Sequence, residues 1–525
     1  MEPTAERLDG LRSRFQLTRV RSALETRVLS KLRSLESILR PINRLPADIF
    51  ILIPDYFAND SDQDYETFPI NKPLITMTHV CRSWRNLLLS TTSLWTRIGF
   101  FTAESKQAKG FLSRSGKQLI DVHQFPEREE HTEPFLSNTL RNVYRLWRLE
   151  IVSFLPHLER VLTQFTSPAP ELKDLEIISD RDMTDRDIVL PSTIFNGQLP
   201  KLTSLSLHNI RTDLRGFNIP SLMRFSFETR TTTRVGNLTS FFERCPLLEF
   251  IQIDLCYRPQ PPTPPPKRRV CLCMLKELIF EQTACTSGLL DHLILPKCTK
   301  MELRGLYSGD GFHSDSFPAA RLHPSSIDHL PVTRGITKAI AMPNSCSLSG
   351  PNGNLGLWCF HESSGDLDAE FGTSLSPISV LEIRELWVGW NSEACPRGTS
   401  RLRKQTAVGI RGAFEVLTKL EDLNIVRCET QPFFATLDVK MDDAILLLGL
   451  RRLTVFIGCG DLDVQALIQC AESRKKHFRP LEEVTVVFDE APGADLVEWM
   501  ESLRGFVGKL VYRVGEAPQL KLGLK

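Results

Sequence analysis

One short hydrophobic signature recurs along most of the chain: an apolar residue, two free positions, a second apolar residue, one free position and a third. It appears as Leu146-x-x-Leu149-x-Ile151, Leu172-x-x-Leu175-x-Ile177, Leu202-x-x-Leu205-x-Leu207 and Leu222-x-x-Phe225-x-Phe227. Leu248-x-x-Ile251-x-Ile253, Leu275-x-x-Leu278-x-Phe280 and Cys298-x-x-Met301-x-Leu303 follow. It returns as Ile383-x-x-Leu386-x-Val388, Leu420-x-x-Leu423-x-Ile425, Leu450-x-x-Leu453-x-Val455 and Leu481-x-x-Val484-x-Val486. The closing alternation is the period of a half-buried strand. Starts lie 26, 30, 20, 26, 27 and 23 residues apart up to Cys298, then 37, 30 and 31 apart from Ile383. Looser copies, Ile327-x-x-Leu330-x-Val332 and Leu355-x-x-Trp358-x-Phe360, bridge the interval, and proline-marked turns such as Leu199-Pro200-Lys201 precede several copies. A strand, a turn and a variable return limb predict a stack in which each unit covers its neighbour's apolar edge. The expected fold class is α/β, a solenoid over residues 140–515 with a curved parallel sheet. An ordinary domain of alternating strands and helices is the competing reading; eleven copies in one phase favour the stack.

The N-terminal part has a different pattern. Leu24, Val28, Leu32, Leu35 and Leu39 step by threes and fours, which predicts a helix within residues 1–41 that Pro41 ends. It is either a short coiled-coil seam or a helix docking on the next element. Residues 42–100 predict an apolar helix from Pro46 to Ile53, then a loop with Asp55, Asp60, Asp62, Asp64 and Glu66. A second helical pattern runs from Leu74 through Val80, Cys81, Trp84, Leu87 and Leu88, and Leu94-Trp95 returns to the apolar layer. So small a unit has a marginal core, and its two tryptophans point to a surface completed by another polypeptide. Residues 101–139 are expected to connect, 305–375 to be loop-rich in Gly, Ser and Pro, and 516–525 to form a tail.

Within 42–100, the ordered set Leu45-Pro46, then Val80-Cys81-Arg82-Ser83-Trp84, then Ser90 to Leu94-Trp95 resembles the F-box of fungal, basidiomycete-type F-box proteins. An N-terminal helix before it and irregular leucine-rich repeats after it are also typical of that family, so the likeness covers most of the chain. The departure is residues 54–73, a longer and more acidic connection than a minimal F-box has. The resemblance implies a substrate-recruiting subunit of a Skp–cullin–F-box ubiquitin ligase. It implies that Leu45, Pro46, Ile49, Ile53, Val80, Cys81, Trp84 and Trp95 contact the Skp-type adaptor, and through it a cullin, while leucine-rich-repeat-like units hold a protein target. For Trp84 and Cys81 a place in the unit's own core is an equal reading.

Composition changes this picture little. Lys and Arg number 64 against 63 Asp and Glu, so no global field draws nucleic acid or anionic lipid. The longest apolar run, Ala444 to Leu450, is far below the ~18 residues of a membrane span. The N-terminus lacks the pattern of a signal peptide, so a cytoplasmic and/or nuclear location is expected. The 13 cysteines are scattered without a Cys-x-x-Cys pair, which predicts buried reduced thiols and no metal site. Phosphate-loop, dinucleotide and hydrolase motifs are absent and the histidines stand singly, so no cofactor and no enzymatic role is expected. A hydrolase or transferase in the irregular 305–375 region, or a repeat scaffold outside any ligase, are the alternatives. Pro262-x-x-Pro265-x-Lys267, in a run from Pro259 to Arg269, fits either a stiff insertion or a ligand for a proline-reading domain.

Overall fold

The computed structural model describes residues 45–59, 72–100, 105–124, 132–153, 158–179, 188–229, 233–255, 268–281, 286–304, 330–342, 345–358, 382–389, 407–426, 430–438, 446–457, 463–489, 491 and 493–515. The expected helix of 1–41, the core of the acidic connection and Pro262, Pro265 and Lys267 lie outside the described residues. The chain is α/β and divides into two compact units, Met1–Leu149 and Glu150–Lys525.

The first unit opens with α1 (Ala47–Asn59), α2 (Lys72–Thr78) and α3 (Arg82–Ser90), then a 3-10 turn at Thr92–Trp95. Helix α1 continues past Ile53 through Pro54. The apolar pattern from Leu74 forms two helices, because Cys81 is extended (φ −153°, ψ 169°) and separates α2 from α3. Strands β1 (Arg97–Phe100) and β2 (Ile120–Gln124) follow and pair in parallel, with α4 (Ser105–Arg114) between them and α5 (Thr132–Arg141) after. Strand β3 (Leu146–Ser153) carries the chain from the first unit to the second.

The second unit is a ladder of strands laid side by side. These are β4 (Asp174–Ser179), β5 (Ser204–His208), β6 (Arg224–Thr229), β7 (Phe250–Leu255), β8 (Glu277–Glu281) and β9 (Lys300–Arg304). Then come β10 (Lys338–Met342), β11 (Ser345–Gly350), β12 (Gly353–Trp358), β13 (Glu385–Gly389), β14 (Asp422–Val426), β15 (Arg452–Ile457), β16 (Glu483–Phe488) and β17 (Lys509–Val514). The repeat template sets the register. Its second apolar position runs in register through Leu175, Leu205, Phe225, Ile251, Leu278 and Met301, and again through Leu386, Leu423, Leu453 and Val484. All ten side chains are buried. Strand β17 adds a rung beyond the last copy of the template, pairing Leu510 with Val484.

The turns explain the prolines. At Ala169-Pro170-Glu171-Leu172, Leu199-Pro200-Lys201-Leu202, Ile219-Pro220-Ser221-Leu222 and Cys245-Pro246-Leu247-Leu248, the last N–H bonds the first carbonyl at 3.1–3.3 Å. Proline suits the second place of such a turn because its fixed φ is already correct there. The return limbs carry helices of varied length: α6 (Leu158–Thr163), α7 (Val235–Glu243), α8 (Thr286–Leu290), α9 (Ala407–Val416), α10 (Gln431–Leu437), α11 (Val464–Lys476) and α12 (Ala494–Leu503). Their apolar sides close the core; Phe241 and Phe242 of α7 lie 4.9 and 6.2 Å from Phe225.

The interval between Cys298 and Ile383 differs from expectation. Within the region expected to be loop-rich, β10, β11 and β12 form an antiparallel meander inserted between β9 and β13, so the rungs there run β9, β12, β11, β10, β13. The register pairs Leu355 with Met301 and Leu357 with Leu303, three positions out of phase with the expected copy. The other copy is also displaced: Leu330 and Val332 flank and occupy a 3-10 turn, and the true rung is Ile336-x-x-Ala339-x-Ala341, with Ala339 opposite Leu386. Glycine here serves close packing. A Cβ on Gly353 (φ +130°) would stand 2.0 Å from the Thr299 carbonyl oxygen, and one on Gly350 2.5 Å from that of Gly335.

Candidate partner-binding surfaces

Helix α1 has two apolar sides. Phe50 and Pro54 are buried, and the Phe50 ring meets Trp84 of α3 edge-on, 4.5 Å between centroids. Ile49, Leu52 and Tyr56 step by three and four, which places them on one stripe of the helix; they are 46, 58 and 73% exposed, and Leu45, just before the helix, is 40% exposed. A soluble helix normally turns its polar side outward, so an apolar outer stripe beside a complete inner one is a surface of the kind partners cover. Pro46 and Val80 are exposed as well, and Ile53 is half-buried. Leu52 and Tyr56 were not singled out from sequence. The three-and-four stepping from Ile49 was the available signal, masked because the helix is apolar nearly all round.

The remaining expected contacts divide by environment. Cys81 caps α3: its Sγ accepts from the Trp84 N–H at 3.4 Å, the task serine usually performs. Trp84 is half-buried against Phe50. Trp95 is 1% exposed, donates from Nε1 to the Leu88 carbonyl at 2.8 Å, stacks on Phe111 at 5.0 Å and lies under the Arg114 guanidinium. Its indole is core of the first unit, and no face of it is offered to an adaptor.

In the second unit, the residues between the buried rungs of β4 to β9 form a largely polar sheet face, whereas in β10 and β13 to β16 Ile340, Trp387, Val426, Phe456 and Val487 form an apolar cluster. Serines at 204, 206 and 226 leave a depression of about 250 Å³, walled by Asp174 and Glu176 on one side and by Phe250 and Gln252 on the other. The Arg224 guanidinium covers the Phe250 ring at 4.4 Å. His208, beside Ser206 on the same strand and next to Glu228 on the following one, contacts Ser206 Oγ at 3.0 Å and Glu228 Oε2 at 3.1 Å. Such cross-strand bonds recur along the face: Gln252 to Glu281, Arg304 to Glu281, and Lys300 to Glu277. Glu302, 1% exposed, lies between Lys300 and Arg304, 3.1 and 2.8 Å away. The face thus carries a cross-linked array of donors and acceptors.

The cysteines divide too. Cys245, Cys298, Cys346 and Cys470 are buried, and burial pushes each thiol from 9.0 up to about 12. Cys271 and Cys273 are exposed, contrary to the expectation of buried thiols, while Leu272 between them is buried. Among the described residues, no three His, Cys, Asp or Glu side chains converge as metal ligands, and no helix is long and apolar enough to cross a membrane. No family model matches the chain, and no curated protein is similar enough to stand as a relative.

Proposed function

We propose that this chain is a substrate-recruiting subunit of a Skp–cullin–F-box ubiquitin ligase, with residues 42–100 acting as the F-box. The observation that carries the reading is the outward stripe Ile49, Leu52 and Tyr56, with Leu45 exposed just before it, on a small helical unit whose inner layer is already filled. The Leu-Pro, Val-Cys-x-x-Trp and Leu-Trp sequence supports it independently. The in-register ladder supports reading the second unit as a leucine-rich-repeat-like solenoid whose polar face takes a protein target. The chain would make no bond itself; tethering raises the target's effective concentration near the ubiquitin-loaded enzyme.

The test uses the full chain and a purified Skp-type adaptor. Retention of the adaptor by the wild type and its loss in a folded Ile49→Asp, Leu52→Asp variant is the expected result. Absence of retention, or retention indifferent to both substitutions, would overturn the reading and leave a repeat scaffold acting outside a ligase.

A further inference from the structure

The recruiting role leaves one pair of side chains in the second unit unused. Val270–Cys271 pairs in parallel with Leu293–Ile294, and Val270 and Leu272 point into the core. Cys271 ends the short strand and Cys273 is a central residue of the turn after it, and both side chains are exposed. The chain then turns, with the Leu275 N–H bonded to the Leu272 carbonyl at 3.3 Å, and the two Sγ atoms stand 3.1 Å apart. A disulfide needs ~2.05 Å, so roughly 1 Å of further approach closes the bond. The flanking backbone is pinned by Val270 N–H to His292 O at 2.7 Å and Leu272 N–H to Ile294 O at 3.0 Å. Side-chain rotation must supply that movement.

Other described thiols are less open to an oxidant. Four are buried, and Cys81 caps a helix. The neighbouring Cys273 thiol, by hydrogen bonding, holds the Cys271 pKa above its ordinary value, so the attacking thiolate is favoured as pH rises.

We propose that Cys271 and Cys273 form a reversible oxidation site that closes to an intramolecular disulfide on exposure to hydrogen peroxide. One thiol attacks a peroxide oxygen: an S–O bond forms, the O–O bond breaks, and water leaves a sulfenic acid. The second thiol attacks that sulfur, forming the S–S bond and expelling the hydroxyl as water with its own proton. Two thiols and one peroxide thus give one disulfide and two waters, and a dithiol reductant reverses the change by exchange.

The test treats the native full chain with hydrogen peroxide, alkylates remaining thiols and digests with trypsin. Cleavage after Arg269 and Lys276 releases Val270–Lys276, which contains both cysteines. The expected product is that peptide two hydrogens lighter, closed to alkylation until reduced, and absent from a Cys271→Ser chain. The proposal is overturned if the wild-type peptide still takes two alkyl groups, if both sulfurs gain oxygen without closing, or if either cysteine is found joined to another peptide.

Discussion

The two units spend their outward positions differently. In the second, many outward positions are polar and joined to the next rung: Lys201 to Glu171, Lys276 to Glu249, Lys338 to Glu385, Arg452 to Asp422 and Lys509 to Glu483. Where they are apolar, most stand singly, as Phe478 does, or pack on one another, as Val426, Phe456 and Val487 do with Ile340 and Trp387. In the first, Ile49, Leu52 and Tyr56 face outward from α1, with Leu45 just before it exposed as well. A repeat array covers its own apolar edges by stacking, whereas a few short helices have no neighbour copy to do so. Among the described residues, the first unit shows apolar exposure as successive positions on one side of a helix, Ile49, Leu52 and Tyr56.

That contrast can be broken most forcefully from the inside. Leu453→Ala removes a fully buried rung residue and should cost about 2–5 kcal/mol, read as a lowered urea midpoint for the second unit. On α1, Ile49→Ala and Leu52→Ala should leave the urea midpoint within about 0.5 kcal/mol of wild type. Each should weaken adaptor binding by about 2 kcal/mol, measured by titration calorimetry. Equal losses of stability at both sites would erase the distinction between the units.

Arg474 sharpens the comparison further. It is wholly buried on α11 and donates to the carbonyls of Leu446 at 3.2 Å and Leu447 at 3.0 Å, one repeat back. Arg244 does the same to Leu214 and Phe217. Burial pushes the Arg474 pKa down. Arg474→Met keeps most of the packing and strands both acceptors, so a loss of about 1–3 kcal/mol is expected in thermal or urea unfolding.

The buried thiols give a pH signature. Folded-state pKa values raised from 9.0 to about 12 mean that the unfolded chain ionises first as pH rises. Their contribution is complete below pH 9 and is lost progressively towards pH 12. Cys346→Ala should flatten the fall in stability over that window by up to about 1.4 kcal/mol per pH unit, read from urea midpoints; an unchanged slope would mean the thiol is not held in an apolar site.

Much of the second unit was legible from apolar spacing, because burial on one side of a strand imposes a period of two that the register then preserves. The rung Ile336-x-x-Ala339-x-Ala341 was not, since alanine gives little hydrophobic contrast. The meander was missed because its glycines and serines, needed for close approach, look like loop residues. In the first unit, Trp95 and Ile49 carry similar apolar labels in sequence; only the hydrogen bond to Leu88 and the stack on Phe111 place the indole inside. The stripe at Leu52 and Tyr56 escaped notice because inner and outer apolar residues interleave along α1.

Hydrogen exchange of the full chain, with and without a Skp-type adaptor, tests the central claim most directly. Slowed exchange across Ala47–Asn59 on adding adaptor, with the strands from Ser204 to Arg304 unchanged, is the predicted result. Unchanged exchange along α1, or protection confined to the second unit, would contradict it.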